Sequence, residues 1–314
     1  MADYSSETLT AIVHHHRPDL DGEVSITPIA TGKFNDSFFI TAGGEDMVLR
    51  IAPPRDAVFC FYEKDMMRQE PDIHRLLLEK TDVPVAPIFA YDDTLSLIDR
   101  DYVLMKRLPG APLTDVPQAD ENTVLRQVGR YLAQAHSLTA DTYGYIGAHR
   151  PMEPRTTWVE AFEHMWHRLI DDIVMVGHYT EPESHLFRTL LGRHRALFDR
   201  PVVSRLLHMD IWHQNILVHT HSTVTGIVDW DRALWGDPEI EYAVLDYCGI
   251  SKPAFWDGYG QDRDLSPEAR TRQVFYLLYE LQKYIVIRQG RGNDAPAARR
   301  YKQQVFAILR QAFA

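Results

Sequence analysis

The chain is poor in cysteine and has no long apolar run. It has two cysteines, Cys60 and Cys248, and no Cys-x-x-Cys pair, which excludes a disulfide scaffold and fits a reducing compartment. No segment approaches the roughly 18 consecutive apolar residues of a membrane helix. The first ten residues lack a basic region followed by an apolar stretch, so we expect no signal peptide and a cytoplasmic location.

A surplus of positive charge is also missing. The 314 residues include 33 lysines and arginines against 44 aspartates and glutamates, a formal net charge of −11. Nucleic acids and anionic membranes attract proteins through positive surface potential, so the composition argues against both as general partners. With 45% hydrophobic residues the chain has globular composition, and its length predicts about two domains.

Two nucleotide motifs and one protein-kinase motif do not occur. The P-loop pattern Gly-x-x-x-x-Gly-Lys-Ser/Thr is absent. The sequence GRGNDA at 290–295 resembles a dinucleotide-binding fingerprint, but it follows a predicted helix, whereas the fingerprint follows a strand. No Ala-Pro-Glu segment follows DWD at 229–231, so nothing indicates the peptide-binding segment of a protein kinase.

Strand patterns dominate the first part of the chain. Residues 24–51 contain three strand-like runs, with a hairpin signal at Gly43-Gly44 between the second and third. A helix is predicted at 63–80, where Pro71 interrupts or starts a segment, and two more strand-like runs follow at 83–92 and 101–108.

Helical patterns dominate the remainder, after a proline-rich connector at 108–120. Helices are predicted at 121–138, 157–176, 183–198, 267–288 and 295–313, and short strands at 215–220 and 224–230. An aromatic stripe in one of these helices (Phe275, Tyr276, Tyr279 and Tyr284) is interpreted as core packing. We therefore predict an α+β fold of two lobes, a small β-rich lobe at 1–107 and a larger, mainly helical lobe at 108–314.

A polar loop interrupts two apolar runs in the second lobe. The sequence HMDIWHQN contains His208, Asp210 and Asn215, and Asp229 ends the next predicted strand. A hairpin between these strands would bring Asn215 and Asp229 side by side. Amide and carboxylate oxygens suit Mg²⁺, and Asp210 is placed to orient a hydroxyl and accept its proton. This set is typical of phosphoryl transfer, and His208 is interpreted as a structural histidine that braces the loop.

The protein-kinase template for phosphoryl transfer also requires a cation on the third strand and a glutamate on the following helix. Arg50 and Glu70 are the candidates, because arginine can bridge phosphate oxygens and pair with a carboxylate. Gly32, between the first two strands, is the candidate residue of a phosphate-binding loop. Its loop has one glycine, whereas the template has three.

These motifs together resemble the aminoglycoside phosphotransferase superfamily, which includes antibiotic kinases, choline kinase, fructosamine kinase and homoserine kinase. The specific segments are HMDIWHQNILV at 208–218 and GIVDWDRALWGDPEIEYAV at 226–244. The resemblance extends in chain order to GKFNDSFFIT, MVLRIAPP, VLMKRLPGAPL and LAQAHSL. It departs from the usual pattern at Arg50, where many members carry lysine.

The resemblance implies a protein-kinase-like fold that binds ATP or GTP with Mg²⁺. The nucleotide would lie against the hinge backbone at Met105, Lys106 and Leu108. Catalysis would depend on Asp210, and Asn215 with Asp229 would hold the metal.

Further residues receive supporting or acceptor-binding roles by the same resemblance. Asp237 would be a structural acid that supports the catalytic loop, and Glu241 is the candidate for a second such role. The acceptor would bind to the helical lobe, where Asp231, Trp256, Asp257 and Glu280 are the candidate contacts.

The leading hypothesis is a small-molecule O-kinase that acts as a monomer or homodimer. An aminoglycoside or other sugar-bearing antibiotic is the first candidate acceptor, and a metabolite hydroxyl of the choline, homoserine or fructosamine type is the second. Two hypotheses from other classes remain open. One is a zinc hydrolase that uses His208, Asp210, His213 and Asp229, and the other is a catalytically silent nucleotide-binding protein.

Overall fold

The computed structural model describes residues 4–30 and 34–313, so Gly32 lies outside the described residues. Helices α1 to α9 are Ser6–His16, Glu70–Lys80, Glu121–Ala135, Trp158–Met175, Glu181–His194, Pro238–Tyr247, Pro253–Tyr259, Pro267–Gly290 and Ala295–Phe313. Strands β1 to β11 are Ser25–Pro28, Asp36–Ala42, Glu45–Ile51, Ile88–Asp92, Tyr102–Lys106, Ala111–Pro112, Thr139–Ala140, Ser204–Leu207, Ile216–Val218, Val224–Ile227 and Leu234–Gly236. None of the described helices is both long enough and apolar enough to cross a membrane.

The first five strands form an antiparallel sheet in the order β1-β2-β3-β5-β4. The predicted hairpin turn joins β2 to β3, and Gly43 and Gly44 adopt φ values of +55° and +81° that favour glycine. Because side chains alternate along a strand, one face of β3 buries Leu49 against α1, and the other presents Val48 and Arg50 to a large cavity.

The segment 53–62 leaves this sheet and packs in the helical part of the molecule. Cys60, Phe61 and Tyr62 are buried in the same apolar cluster as α4 and α8. The backbone N–H of Phe61 donates to the Asp172 carboxylate of α4 at 2.7 Å. The lobe division predicted after residue 107 follows the end of β5, but this earlier segment crosses it.

The helix predicted at 63–80 begins at Glu70. Asp65 adopts a left-handed φ of 57°, and a short 3-10 turn, Met66–Gln69, precedes α2. Pro71 stands in the first turn of α2, where its missing N–H has no helical partner to lose. Pro71 therefore starts the α-helix, one of the two outcomes that the sequence left open.

Five helices of the second lobe, α3, α4, α5, α8 and α9, correspond to predicted ones. The sequence analysis missed α6 and α7, which have 10 and 7 residues and are too short to display a clear apolar period. Phe275, Tyr276 and Tyr279 of α8 are buried core residues as predicted. Tyr284 is different: it is half-buried and lines the cavity, because α8 passes from the core to the cavity wall there.

Candidate active site

The loop that follows β8 is braced by a buried histidine. His208 donates from Nε2 to the carbonyl of Val228 at 2.9 Å, and its Nδ1 accepts the N–H of Asp210 at 3.2 Å. Both ring nitrogens are therefore engaged within the protein. This arrangement supports the structural interpretation of His208.

A buried carboxylate holds the same loop from behind. Glu241 accepts the N–H of Met209 at 2.6 Å and that of His208 at 3.2 Å, and it contacts His136 Nε2 at 2.7 Å. Met209 has a left-handed φ of 66°, so these bonds stabilise strained backbone directly before Asp210. Burial raises the pKa of Glu241, but the bond to His136 and the backbone donors outweigh it, so the pKa is lowered and the carboxylate stays ionised.

Asp237, the other predicted loop-supporting acid, has different contacts. Its side chain caps α6 by accepting the N–H of Glu239 at 3.1 Å, and it also binds Arg200 at 2.6 Å and the Tyr276 hydroxyl at 3.1 Å. It thus fixes the start of α6, the helix that carries Glu241. Its support for the loop is indirect.

Asp210 lies at the edge of the cavity beside two cations. Arg232 donates to its carboxylate at 3.3 Å, and the Lys283 ammonium lies 3.9 Å away. Burial raises the pKa of Asp210, but the charges of Arg232 and Lys283 and the hydrogen bond from Asn215 outweigh that effect, so the pKa lies below its ordinary value. Asp210 is consequently a carboxylate, able to accept a hydrogen bond from a hydroxyl.

Asn215 and Asp229 lie at the adjoining ends of the β9–β10 hairpin. Ile216 pairs with Ile227 across it, and the N–H of Val228 donates to the carbonyl of Asn215 at 3.0 Å. The Asn215 amide nitrogen donates to the carbonyl of Asp210 at 2.9 Å, which leaves its amide oxygen available as a ligand. Asp229 has a left-handed φ of 73° and lines the cavity.

Arg50 is the centre of a cluster of three carboxylates. It forms the expected ion pair with Glu70, and it also binds Asp229 at 2.5 Å and Asp231 at 3.1 Å. Burial raises the pKa of Asp231, and the neighbouring Asp229 raises it further. One guanidinium therefore faces three acids, and the cluster has a surplus of negative charge.

The donor set of this region fits a hard divalent cation. One carboxylate oxygen from each of Glu70, Asp229 and Asp231 lies within 4.8 Å of the others. Oxygen donors and a negative surplus are what Mg²⁺ requires. Asp229, Asp231 and Asn215 line the cavity, and Asp229 with Asn215 remain the predicted metal pair.

The cavity has a volume of about 1150 Å³ and extends between the two lobes. An apolar slot at one end is formed by side chains from both lobes, namely Val48, Ala86, Met105, Leu108 and Leu217. At the hinge, Lys106 is exposed and its N–H donates to Pro87 at 2.9 Å. A flat heteroaromatic base would fit such a slot, and the contact roles of Met105, Lys106 and Leu108 remain predictions.

The four predicted acceptor residues lie in different places. Asp231 lines the cavity, but within the Arg50 cluster. Trp256 and Asp257 belong to α7, where Trp256 packs on Tyr242 and Asp257 lies 3.9 Å from Arg126, and neither lines the cavity. Glu280 is buried behind the cavity wall and pairs with Lys283 at 2.7 Å.

Three functional residues were missed by sequence reasoning. Arg232 and Lys283 flank Asp210, and the buried Glu63 binds Arg232 at 3.1 Å and Arg291 at 2.8 Å. Arg232 could have been suspected because it directly follows DWD. Lys283 and Glu63 had no local signal, because they reach the site from a long helix and from a turn before α2.

The zinc hypothesis has no support in the described residues. His208 uses both ring nitrogens within the protein, and His213 contacts Glu121 at 2.9 Å. The described clusters of metal-binding residue types are His15-His16-Asp92 and the Glu70-Asp229-Asp231 group, and neither includes His208 or His213.

Comparison with known families agrees with this geometry. The model of the phosphotransferase enzyme family (APH) matches residues 25–278, most of the chain. The chain belongs to this family. The predicted resemblance is confirmed, and membership of this family supports the predicted enzyme class.

Curated relatives of the chain are distant and diverse. Acyl-CoA dehydrogenase family member 11 of Mus musculus is 24% identical, over 77% of this chain and 31% of its own length. The chain thus spans about a third of that protein. Hygromycin-B 4-O-kinase of Escherichia coli is 23% identical over 92% of this chain and 82% of its own length, and a probable ketoamine kinase of Vibrio parahaemolyticus is 27% identical over 57% and 61%.

A solved structure confirms the fold of the chain. Aminoglycoside phosphotransferase APH(4)-Ia aligns with a TM-score of 0.66 and 18% identity, over 99% of this chain and 100% of the other. At that identity the likeness concerns the fold alone. The predicted α+β, kinase-like fold is confirmed.

Proposed function

We propose that this phosphotransferase moves the γ-phosphoryl group of ATP to a hydroxyl of a small molecule. The observation that carries the proposal is the convergence of Asp210, Asn215 and Asp229 on one cavity, beside the Arg50 cluster. In the reaction a bond forms between the acceptor oxygen and the γ-phosphorus, and the bond from that phosphorus to the bridging oxygen breaks. ADP leaves, and the hydroxyl proton passes to Asp210.

Asp210 acts mainly by orientation in this proposal. Because its pKa is lowered, the carboxylate is a weak base that holds the hydroxyl by a hydrogen bond and takes the proton as the new bond forms. Arg232 and Lys283 keep the carboxylate in place and ionised.

The nucleotide side is assigned to the apolar slot and the Arg50 cluster. The slot would hold the base, and the phosphates would extend toward Arg50, Asp229 and Asn215. Bound Mg²⁺ would neutralise charge on the phosphate oxygens. A crystal structure of a thermostable APH(4)-Ia mutant contains AMP-PNP and hygromycin B, which supports a site shared by nucleotide and acceptor.

The two predicted alternatives, an antibiotic kinase and a metabolite kinase, differ in the class of acceptor. Relatives include a hygromycin-B kinase and a probable ketoamine kinase, so the comparisons favour neither the antibiotic nor the metabolite prediction. Aminoglycosides are polycations and need carboxylates around them. The cavity wall beyond Asp210, formed by α6, α8 and α9, presents tyrosines and arginines, and this observation favours a metabolite hydroxyl.

A transfer assay tests the proposal. The protein is incubated with γ-labelled ATP, Mg²⁺ and a panel of hydroxylated metabolites and aminoglycosides, and products are identified by mass spectrometry. We expect one class of acceptor to gain a phosphoryl group in wild type and not in Asp210→Asn. Transfer that persists unchanged in Asp210→Asn would contradict the assignment.

A further inference from the structure

The part of the cavity beyond Asp210 has a wall of distinct chemistry, which we call the acceptor wall. It consists of Tyr247, Cys248, Tyr284, Ile287, Arg288 and Tyr301. These residues come from the end of α6 and from α8 and α9. Lys283 connects the wall to the catalytic carboxylate, because its ammonium lies 3.9 Å from Asp210 and 5.1 Å from the centre of the Tyr284 ring.

Three tyrosines of the acceptor wall form one aromatic surface. The rings of Tyr284 and Tyr301 stack with centroids 4.9 Å apart and planes 21° apart. The Tyr247 ring lies 5.8 Å from Tyr284, and its hydroxyl is 3.3 Å from that of Tyr301. Such a surface binds flat or apolar groups by stacking and contact area.

Arg288 is a cation without an acidic partner on this wall. Among the described residues, no carboxylate lies within 4.0 Å of its guanidinium, and its buried Nε has no hydrogen-bond partner. Burying a hydrogen-bond donor without a partner costs free energy. The unpartnered Nε at the cavity therefore indicates that a bound ligand supplies a hydrogen-bond acceptor there.

The neighbouring Arg291 has a different environment. It donates to Glu63 at 2.8 Å, and its guanidinium lies 4.5 Å from the centre of the Phe34 ring. Phe34 lies two residues after Gly32, within the segment predicted as the phosphate loop. Arg291 is therefore ion-paired and packed toward Phe34, whereas Arg288 is the lining arginine of the acceptor wall that has no acidic partner among the described residues.

None of the acidic residues that line the cavity belongs to the acceptor wall, in the part of the chain that the structure describes. The lining acids are Asp115, Asp210, Asp229 and Asp231. Asp229 and Asp231 belong to the Arg50 cluster, Asp210 is the catalytic candidate, and Asp115 belongs to the connector after the hinge. Lys283 is buried behind the lining and is paired with Glu280 of α8, so a polycationic acceptor would meet Arg288 with no lining acid from α6, α8 or α9 beside it.

We infer that the acceptor is a hydroxy compound that carries an anionic group, a carboxylate or a phosphate, separated from the hydroxyl by a flat or apolar portion. The inference rests on the proposed function, since it places the hydroxyl at Asp210. The middle portion lies on Tyr284 and Tyr301, and Arg288 binds the anion. Tyr284 and Arg288 are one turn apart on the same face of α8, about 6 Å along the axis.

A matched series of probes tests this assignment. The probes are 4-(hydroxymethyl)benzoate, 4-(hydroxymethyl)phenyl phosphate, the neutral 4-(hydroxymethyl)benzamide and the cationic 4-(aminomethyl)benzyl alcohol. Their affinities for the full chain are measured by calorimetry with AMP-PNP and Mg²⁺ present. We expect the two anions to bind roughly 10- to 100-fold more tightly than the amide, and the amine to bind most weakly. The carboxylate and the phosphate arms identify which anion is preferred.

Variants locate the preference at Arg288. Arg288→Met should remove the advantage of the anions over the amide and leave AMP-PNP affinity unchanged, and Arg288→Lys should retain part of it. Arg270→Met is the matched control, because Arg270 is an exposed arginine of the same helix that does not line the cavity. Its probe affinities should equal those of wild type.

Three outcomes would overturn the inference: neither anion binds wild type, the amide or the amine binds as tightly as the anions, or Arg288→Met weakens all probes equally. Binding requires no turnover, so the test is separable from the proposed function. Preferred binding of the anions without phosphoryl transfer to any acceptor would contradict the proposed function alone.

Discussion

Two arginines that line the cavity have contrasting surroundings. Arg50, on the nucleotide side, contacts the three carboxylates Glu70, Asp229 and Asp231. Arg288, on the acceptor wall, has no acid within ion-pair distance among the described residues. A paired buried cation is part of the folded structure, whereas an unpaired one is available to a ligand. The difference separates residues that build the site from residues that select its substrate.

Asp210 lies between the two sides, and its replacement should separate chemistry from binding. In Asp210→Asn we expect turnover to fall by roughly 10²- to 10⁴-fold, because the amide cannot take the hydroxyl proton. AMP-PNP affinity should stay near that of wild type, since the slot and the Arg50 cluster are intact. Steady-state kinetics measure turnover, and calorimetry measures AMP-PNP affinity. A loss of AMP-PNP affinity as large as the loss of turnover would contradict the separation of chemistry from binding at Asp210.

The two arginines should differ in their contribution to stability. Arg50→Met leaves three carboxylates without a counter-charge, and we expect a loss of about 3–5 kcal/mol in the free energy of unfolding. Arg288→Met removes no ion pair and should change stability by less than about 1 kcal/mol. Urea unfolding of both variants measures the contrast.

Arg50→Lys is the control for charge in that experiment. Lysine keeps the pairing with Glu70 and should recover much of the stability lost in Arg50→Met. If Arg288→Met proved as destabilising as Arg50→Met, the distinction between an arginine paired within the folded protein and an arginine left free for the acceptor would be lost.

Glu241 tests whether the catalytic loop depends on its buried support. Glu241→Gln keeps one acceptor oxygen but removes the charge that holds Met209, His208 and His136. We expect a loss of about 1.5–3 kcal/mol in stability and a fall in turnover, with nucleotide affinity preserved. Wild-type turnover in this variant would show that Asp210 is positioned without Glu241.

The smallest expected effect concerns Asp172, which binds the segment 53–62 behind the acceptor wall. Burial raises its pKa to about 7, against the opposing hydrogen bond from Phe61 and the charge of Arg168. The unfolded carboxyl ionises near 3.8, so between about pH 4 and pH 7 the folded form keeps a proton that the unfolded form has lost. Stability from this group therefore falls as pH rises through that window.

Asp172→Asn should remove this pH dependence, because asparagine stays neutral and can still accept the N–H of Phe61. From pH 5 to pH 8 we expect the free energy of unfolding of the variant to rise by at least about 1 kcal/mol relative to that of wild type. Unfolding by urea at the two pH values gives the difference. If the difference in free energy of unfolding between Asp172→Asn and wild type is the same at pH 5 and pH 8, the carboxyl pKa of Asp172 lies outside this window.

The nucleotide side could be predicted because its residues follow local motifs. His208, Asp210 and Asn215 share one loop, and a single hairpin brings Asp229 beside them. The phosphoryl-transfer template predicted Arg50 on the third strand and Glu70 on the following helix, and the structure pairs them. Local spacing and the template were sufficient to anticipate these positions, but not the contacts of Arg50 with Asp229 and Asp231.

The acceptor wall could not be predicted in the same way. Tyr247, Tyr284, Arg288 and Tyr301 come from three helices, and their meeting depends on how α6, α8 and α9 pack. Helical periodicity assigned Tyr284 to the core, since a stripe of aromatic residues does not reveal where a helix leaves the core. Trp256 and Asp257 had suitable chemistry, but α7 packs against α3, away from the cavity.

The most direct test of the account is the dependence of nucleotide affinity on Mg²⁺. AMP-PNP is titrated by calorimetry into wild type and Asp229→Asn, with Mg²⁺ and with chelator; asparagine tolerates the left-handed backbone at this position. If Asp229 and Asn215 hold the metal, Mg²⁺ should strengthen binding to wild type at least about tenfold and have little effect on the variant. The same Mg²⁺ dependence in both proteins would contradict the metal site on which the proposed phosphoryl transfer depends.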